Sequence, residues 1–136
     1  MASGVAVNDE CLNNYGSLKM GQNYKYIIFK LSEDNSEIIV EKSVKTGDYE
    51  EFLNCLPEVE PRYAVYDFDF QTDDGLRNKI VFYSWIPDTA KVRQKMLYAA
   101  SKDALRKRLE GLAVEIQGTD ASEVAYETVL EKANSK

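Results

Sequence analysis

The stretch Arg62-Tyr63-Ala64-Val65-Tyr66-Asp67-Phe68-Asp69-Phe70 and, beyond Thr72-Asp73-Asp74-Gly75, the stretch Asn78-Lys79-Ile80-Val81-Phe82-Tyr83-Ser84-Trp85-Ile86 decide the fold. Aromatic and β-branched residues fill both, the composition that suits a pleated, largely buried surface. Asp67 and Asp69 alternate with Tyr66, Phe68 and Phe70, which is the period of a strand with one face turned to a core. The Thr-Asp-Asp-Gly step between the two stretches joins them as a hairpin, and this aromatic pair is expected at the centre of a sheet.

Working outward, a second hairpin is expected from Tyr24 to Leu31 and Glu37 to Lys42, joined by the polar turn Ser32-Glu33-Asp34-Asn35-Ser36. Before it, a helix starts at an Asn8 cap, runs through Leu12, Tyr15 and Leu18, and ends at Gly21. A short helix spans Asp48 to Leu56 with Tyr49, Phe52 and Leu53 inward, and stops before Pro57. On the far side, Pro87-Asp88 opens a long helix reaching about Leu109, closed by Gly111. A strand from Ala113 to Gln117 and a final helix capped by Asp120, with Glu123 at capping-box spacing, complete the order. Helix, hairpin, helix, hairpin, long helix, strand, helix gives an α/β (α+β) class: one mixed sheet of about five strands sandwiched between helices, in a single domain over 1–136.

Composition narrows the chemistry. The 136 residues include no histidine, which removes the commonest general base, nucleophile activator and zinc ligand. The seven glycines are isolated, so no phosphate-cradling loop is present. Asp67, Asp69, Asp73 and Asp74 have strand rather than calcium-loop spacing, and no metal or other cofactor is expected. Cys11 and Cys55 form no CxxC pair and are expected as buried free thiols. No apolar run approaches the ~18 residues of a membrane span, and Met1 to Asn8 lacks the features of a secretory signal, so the expected compartment is cytoplasmic. A formal net charge of −6 opposes general nucleic-acid binding.

Charge is unevenly spread. Lys91, Arg93, Lys95, Lys102, Arg106, Lys107 and Arg108 face a single acid, Asp103, between Lys91 and Arg108. An acidic protein with one cationic helix points to a local site for an acidic partner, against the blander alternative of a solvated face. Lys91, Lys95, Lys102 and Arg106 share a narrow stripe flanked by Tyr98. Val92, Met96 and Ala100 form one apolar set and Leu105, Leu109 and Leu112 another. The two sets do not share a face, so a bend is expected near Ala99-Ala100-Ser101. Arg93 falls on the apolar side, where a buried helix would not place it. Arg77 and Lys79 are either edge-protecting charges or a second basic contact. Trp85 reads as core and Glu131-Lys132 as a solvated helix end. Ser3, in the stretch Ala2 to Val7, reads as part of a frayed terminus or as a contact arm with a modifiable hydroxyl.

The chain resembles the actin-depolymerising-factor/cofilin family. The start Met1-Ala2-Ser3-Gly4-Val5-Ala6-Val7, the strand Arg62 to Phe70, Trp85-Ile86-Pro87-Asp88-Thr89-Ala90-Lys91-Val92-Arg93-Gln94-Lys95-Met96, Ser101-Lys102-Asp103-Ala104-Leu105 and Ile116-Gln117-Gly118-Thr119-Asp120 carry the likeness in order over nearly the whole length. The resemblance implies the actin-depolymerising-factor homology fold and a non-enzymatic, monomeric protein of cortical actin structures. Such a protein binds actin monomers and filaments, prefers ADP-bound subunits, alters filament twist, severs and depolymerises. It implies a monomer-and-filament surface of Ser3, Gly4, Arg93, Lys95 and Met96 with Lys102 and Asp103, and a filament contact of Arg77, Lys79, Glu131 and Lys132. Phosphorylation at Ser3 and inhibition by phosphoinositides at the basic helix are further implications. The ending Ala133-Asn134-Ser135-Lys136 is less basic than in many relatives, the basic nuclear-localisation insert of vertebrate members is missing, and histidine-based pH dependence cannot operate. Coactosin-like and glia-maturation-factor-like behaviours are rivals that the Pro87 to Met96 segment opposes. A phosphoinositide-binding peripheral membrane protein is a third, opposed by the lack of an apolar insertion face.

Overall fold

A computed structural model describes residues 4–21 and 23–135. The two aromatic stretches pair as expected, over a longer span: β4, Arg62–Thr72, lies antiparallel to β5, Gly75–Trp85, from Arg62 opposite Trp85 to Thr72 opposite Gly75. The tight turn requires Gly75 at φ +116°. Thr72 Oγ1 closes it by accepting from the Asp74 N–H and donating to the Gly75 carbonyl. The other hairpin is β2, Tyr26–Leu31, and β3, Glu37–Val44. Its turn is held by Asp34, whose carboxylate accepts from the Ser32 and Ser36 hydroxyls and the Ser36 N–H; these bonds lower its pKa.

The remaining strands are β1, Ala6–Val7, and β6, Val114–Gly118. Strand order is β1-β3-β2-β4-β5-β6, antiparallel inside and parallel at both ends, where β1 joins β3 and β6 joins β5. Among the described residues the sheet has six strands, one more than the five or so expected. The added one falls where a frayed arm was one of the two readings: the Ala6 N–H donates to the Ser36 carbonyl and the Asn8 N–H to that of Ile38.

Among the described residues four α-helices cover the sheet: α1, Asp9–Lys19; α2, Tyr49–Leu53; α3, Val92–Arg106; and α4, Tyr126–Asn134. Asn8 caps α1 by accepting from the Glu10 N–H, and Asp48 caps α2 by accepting from that of Glu51. Strand alternation sends Tyr66, Phe68, Phe70, Val81, Tyr83 and Trp85 to one face, against Tyr49 and Phe52 of α2 and Val129 and Ala133 of α4. Tyr63, Val65, Ile80 and Phe82 go to the other face, against Cys11, Tyr15 and Leu18 of α1 and Tyr98 and Leu105 of α3.

Buried tyrosine hydroxyls fasten the layers. Tyr83 donates to the Tyr49 oxygen at 2.9 Å, and Tyr49 donates to the Val124 carbonyl at 2.7 Å. Tyr15 donates to Glu110 at 2.6 Å, Tyr63 donates to the Tyr98 carbonyl, and Tyr98 accepts from the Leu31 N–H at 2.9 Å. Burial raises the pKa of every one of these phenols, that of Tyr15 to about 12.

Three expectations need correction. The long helix begins at Val92, not at Pro87: residues 87–90 form a turn in which the Ala90 N–H donates to the Pro87 carbonyl. The final helix is split. Asp120 caps a 3₁₀ turn, Ala121–Val124, and α4 starts afresh at Tyr126, because Ala125 is extended at φ −61°, ψ 150°. Cys11 is buried, but Cys55 is half-buried. Trp85 is core, as expected, and its indole N–H donates to the Pro57 carbonyl at 2.7 Å. Gly118 is required beneath it: a Cβ there would meet Val124 Cγ1 at 2.7 Å and the Trp85 ring at 3.2 Å.

Candidate functional site

The first turn of α3 is built against its own dipole. Partial positive charge gathers at a helix N-terminus, where acidic residues stabilise. Here Lys91 is the N-cap without a side-chain bond, Arg93 and Lys95 follow, and the first turn contains no acid. A helix selected only for stability would not carry this pattern; a surface that must present cations would. The helix start is instead fixed from outside. Thr89 Oγ1 donates to the Glu58 carbonyl at 2.8 Å, and the Asp88 N–H donates to that of Thr119.

One stripe of α3 is buried: Tyr98, Ser101 and Leu105, at i, i+3 and i+7. Of the two expected apolar sets, Leu105 and Leu109 are buried as expected, whereas the other lies outward. Val92 is 68% exposed, Met96 is 67% exposed, and Ala100 is exposed as well. Helix α3 runs uninterrupted from Val92 to Arg106 through Ala99–Ser101. The reason for the misreading is chemical: Tyr98 and Ser101 form the inward face although they are polar, and Val92 and Met96 face outward although they are apolar. Arg93, exposed beside them, is no longer misplaced.

Three cations of the basic stripe are held within the chain. Lys95 Nζ donates to the Asp88 carbonyl at 3.1 Å and Lys102 Nζ to Gln117 Oε1 at 3.0 Å. Arg106 pairs with Asp103 at 3.4 Å and Glu115 at 3.1 Å. Lys91, Arg93, Lys107 and Arg108 are exposed. The stripe flanked by Tyr98 is therefore the seam where α3 meets β6, and the outward ridge is Val92, Arg93, Met96 and Asp103. Strand β1 lies near α3. Gly4 is exposed at φ +82°, and Ser3 lies outside the described residues.

The other predicted cluster sits at the opposite end of β5. Arg77 is eight residues of strand, about 26 Å, from Trp85, which leads into α3. Arg77 and Lys79 share the β5 face that carries Val81 and Tyr83, so they project beside α4. Arg77 is exposed and reaches Asp74 at 3.6 Å. Lys79 donates to the Ala133 carbonyl at 2.7 Å and stands 5.8 Å from the Phe70 ring centre. A groove of about 630 Å³ lies between the hairpin tip and the end of α4, lined by Phe70, Asp74, Arg77, Lys79 and Asn134 among others. Glu131 and Lys132 are exposed on α4. The four predicted filament residues thus fall on two adjoining elements, on the sheet face opposite α3. Val92 and Leu76 are exposed apolar residues that the sequence reading did not single out as surface groups. Leu76 is 72% exposed at the hairpin tip beside Arg77, and its apolar type gave no sign that it faces outward.

The family described as cofilin/tropomyosin-type actin-binding protein matches residues 4–134. Cofilin of Ogataea parapolymorpha is 57% identical over 132 residues, covering 96% of this chain and 92% of the relative. Cofilin of Mycosarcoma maydis is 53% identical over 135 residues, covering 98% and 97%. The crystal structure of Streptomyces griseoflavus cofilin is 57% identical, covers 96% of this chain and 98% of that one, and superimposes with a TM-score of 0.92.

Proposed function

Because the chain belongs to the family of cofilin/tropomyosin-type actin-binding proteins, we propose that it binds actin monomers and filaments, alters filament twist, and severs and depolymerises filaments to control their turnover. The observation that carries this reading is the outward ridge of α3, where Val92 and Met96 stand two-thirds exposed beside Arg93 and Lys95. An exposed apolar anchor ringed by cations fits a cleft with an apolar floor and acidic walls. Arg93 and Lys95 meet acidic and polar groups between actin subdomains, Met96 is buried there, and Ser3, Gly4, Lys102 and Asp103 complete the actin contact.

Arg77, Lys79, Glu131 and Lys132 serve a second actin subunit, present only in the filament. Twist changes because the protein binds the twisted geometry more tightly than the straight one; without that difference binding would shift nothing. ADP-bound subunits are preferred. Phosphorylation of Ser3 adds about −1.5 to −2 charges to the actin contact and weakens its hold on acidic actin. Phosphoinositides compete for the cations of α3. The protein acts as a monomer in the cytoplasm, at cortical actin structures, without catalysis and without a cofactor. The test is Arg93→Ala with Lys95→Ala: the thermal midpoint is retained and monomer affinity falls at least tenfold, as loss of charge-assisted contacts predicts. Wild-type monomer affinity in that folded variant contradicts the assignment.

A further inference from the structure

Arg77 and Lys79, two residues apart on one strand face, do different jobs. Arg77 reaches outward: its side chain is exposed, and it pairs with the likewise exposed Asp74 at 3.6 Å. Lys79 is half-buried, and its ammonium is spent inside the chain. It donates to the Ala133 carbonyl at 2.7 Å while the group stands 5.8 Å from the Phe70 ring centre.

That carbonyl belongs to the last turn of α4, where a helix leaves its acceptors without intrahelical donors. Two preceding acceptors are closed locally: the Ser135 N–H donates to the Glu131 carbonyl and the Ser135 hydroxyl to that of Lys132. Lys79 supplies the third, from another element. A cation at a helix C-terminus also complements the dipole. The last turn of α4 carries Glu131 and Lys132, so Lys79 links the hairpin bearing Arg77 to the turn bearing the other two exposed charges.

We propose that Lys79 is a positioning residue of the filament-binding surface: its ammonium, bonded to the Ala133 carbonyl, holds the end of α4 at a fixed offset from the β4–β5 hairpin, so that Arg77, Glu131 and Lys132 meet the filament as one rigid surface. This inference rests on the filament-binding reading above. A lysine touching the filament directly would have to abandon the helix end first; one that stays bonded contributes by preorganisation.

The test uses the full chain with Lys79→Met, which keeps the apolar stem over Phe70 and deletes the donor, and with Lys79→Arg, which restores a donor. Hydrogen exchange of the Ser135 amide is read on the free protein, without actin. Monomer and filament affinities are measured for these variants, for Arg77→Ala, for Lys132→Ala, and for Lys79→Met combined with Lys132→Ala. The expected result is faster Ser135 exchange in Lys79→Met, filament affinity lowered about five- to tenfold, as one charge-assisted helix cap allows, and unchanged monomer affinity. Lys79→Arg recovers exchange and affinity together. The combined variant loses less than the product of the two single losses, because Lys132 is already displaced.

Wild-type exchange in Lys79→Met overturns the inference, as does a multiplicative loss in the combined variant, which marks an independent contact. Unchanged filament affinity in Lys79→Met also overturns it. The Arg77→Ala and Lys132→Ala variants then tell the two failures apart: if they too bind filaments normally, the filament surface itself was wrongly placed; if they do not, only the role of Lys79 was.

Discussion

Met96 is the residue whose truncation best separates a binding anchor from a packing residue. Fully burying a methionine side chain is worth roughly 1.5–3 kcal/mol. With 67% of Met96 exposed in the free protein, about 1–2 kcal/mol of that remains to be gained when a partner covers it. Met96→Ala is therefore expected to weaken monomer affinity by roughly 5- to 30-fold. The free protein has little to lose: a substitution at so exposed a site falls within about 0.5 kcal/mol, a shift of roughly 2 °C in thermal midpoint for a chain of 136 residues. Fluorescence titration of labelled ADP-actin monomers, beside a thermal melt, reads both quantities. Met96→Leu, similar in volume, should retain most of the affinity. Affinity within twofold of wild type for Met96→Ala would show that the ridge is not covered. A drop of more than about 5 °C would show that Met96 packs inside the protein.

Other outcomes follow from the interior. Ser84 Oγ is buried without a hydrogen-bond partner among the described residues, so Ser84→Ala should leave stability unchanged or raise it by up to about 1 kcal/mol; a loss above that, by urea titration, would mean the hydroxyl is satisfied in solution. Stability should also fall in alkali. Burial lifts the Cys11 thiol from 9.0 to about 12, and the Tyr15 and Tyr66 phenols from 10.0 to about 12. The unfolded chain then releases these protons first, so the stability they contribute is complete below pH 9 and lost as pH rises toward 12. Urea midpoints between pH 7 and 11 check the sign; a midpoint that rises above pH 9 contradicts it.

Sequence reading succeeded where one physical force set the pattern. Alternation in Arg62–Phe70 follows directly from one buried strand face, and Asn8, Asp48 and Asp120 mark boundaries through local bonds, whereas Gly111, expected to close the long helix, stands past its end at Arg106. Strand β1 escaped because two residues have no period, and its pairing with Glu37 and Ile38 is made thirty-one positions away. The offset of α3 escaped because Pro87-Asp88 has the chemistry of a helix start, whereas tertiary bonds from Thr89 and Asp88 hold it as a turn. The first half of α3 was read inside out, while Leu105 and Leu109 are buried as expected: hydrophobicity alone marks Val92 and Met96 as core, yet they face outward beside Arg93. The bond of Lys79 to α4 was invisible for a different reason. Spacing places Lys79 and Arg77 on one face, but only the docked helix makes one of them a cap.

The most direct measurement is fluorescence microscopy of surface-tethered ADP-actin filaments after addition of the purified chain, with monomer binding measured on the same preparation. The account predicts binding in both assays and cuts along the filaments, with cutting lost when Arg93 and Lys95 are both replaced by alanine. A well-folded preparation that leaves monomers unbound and filaments undecorated and whole would contradict it.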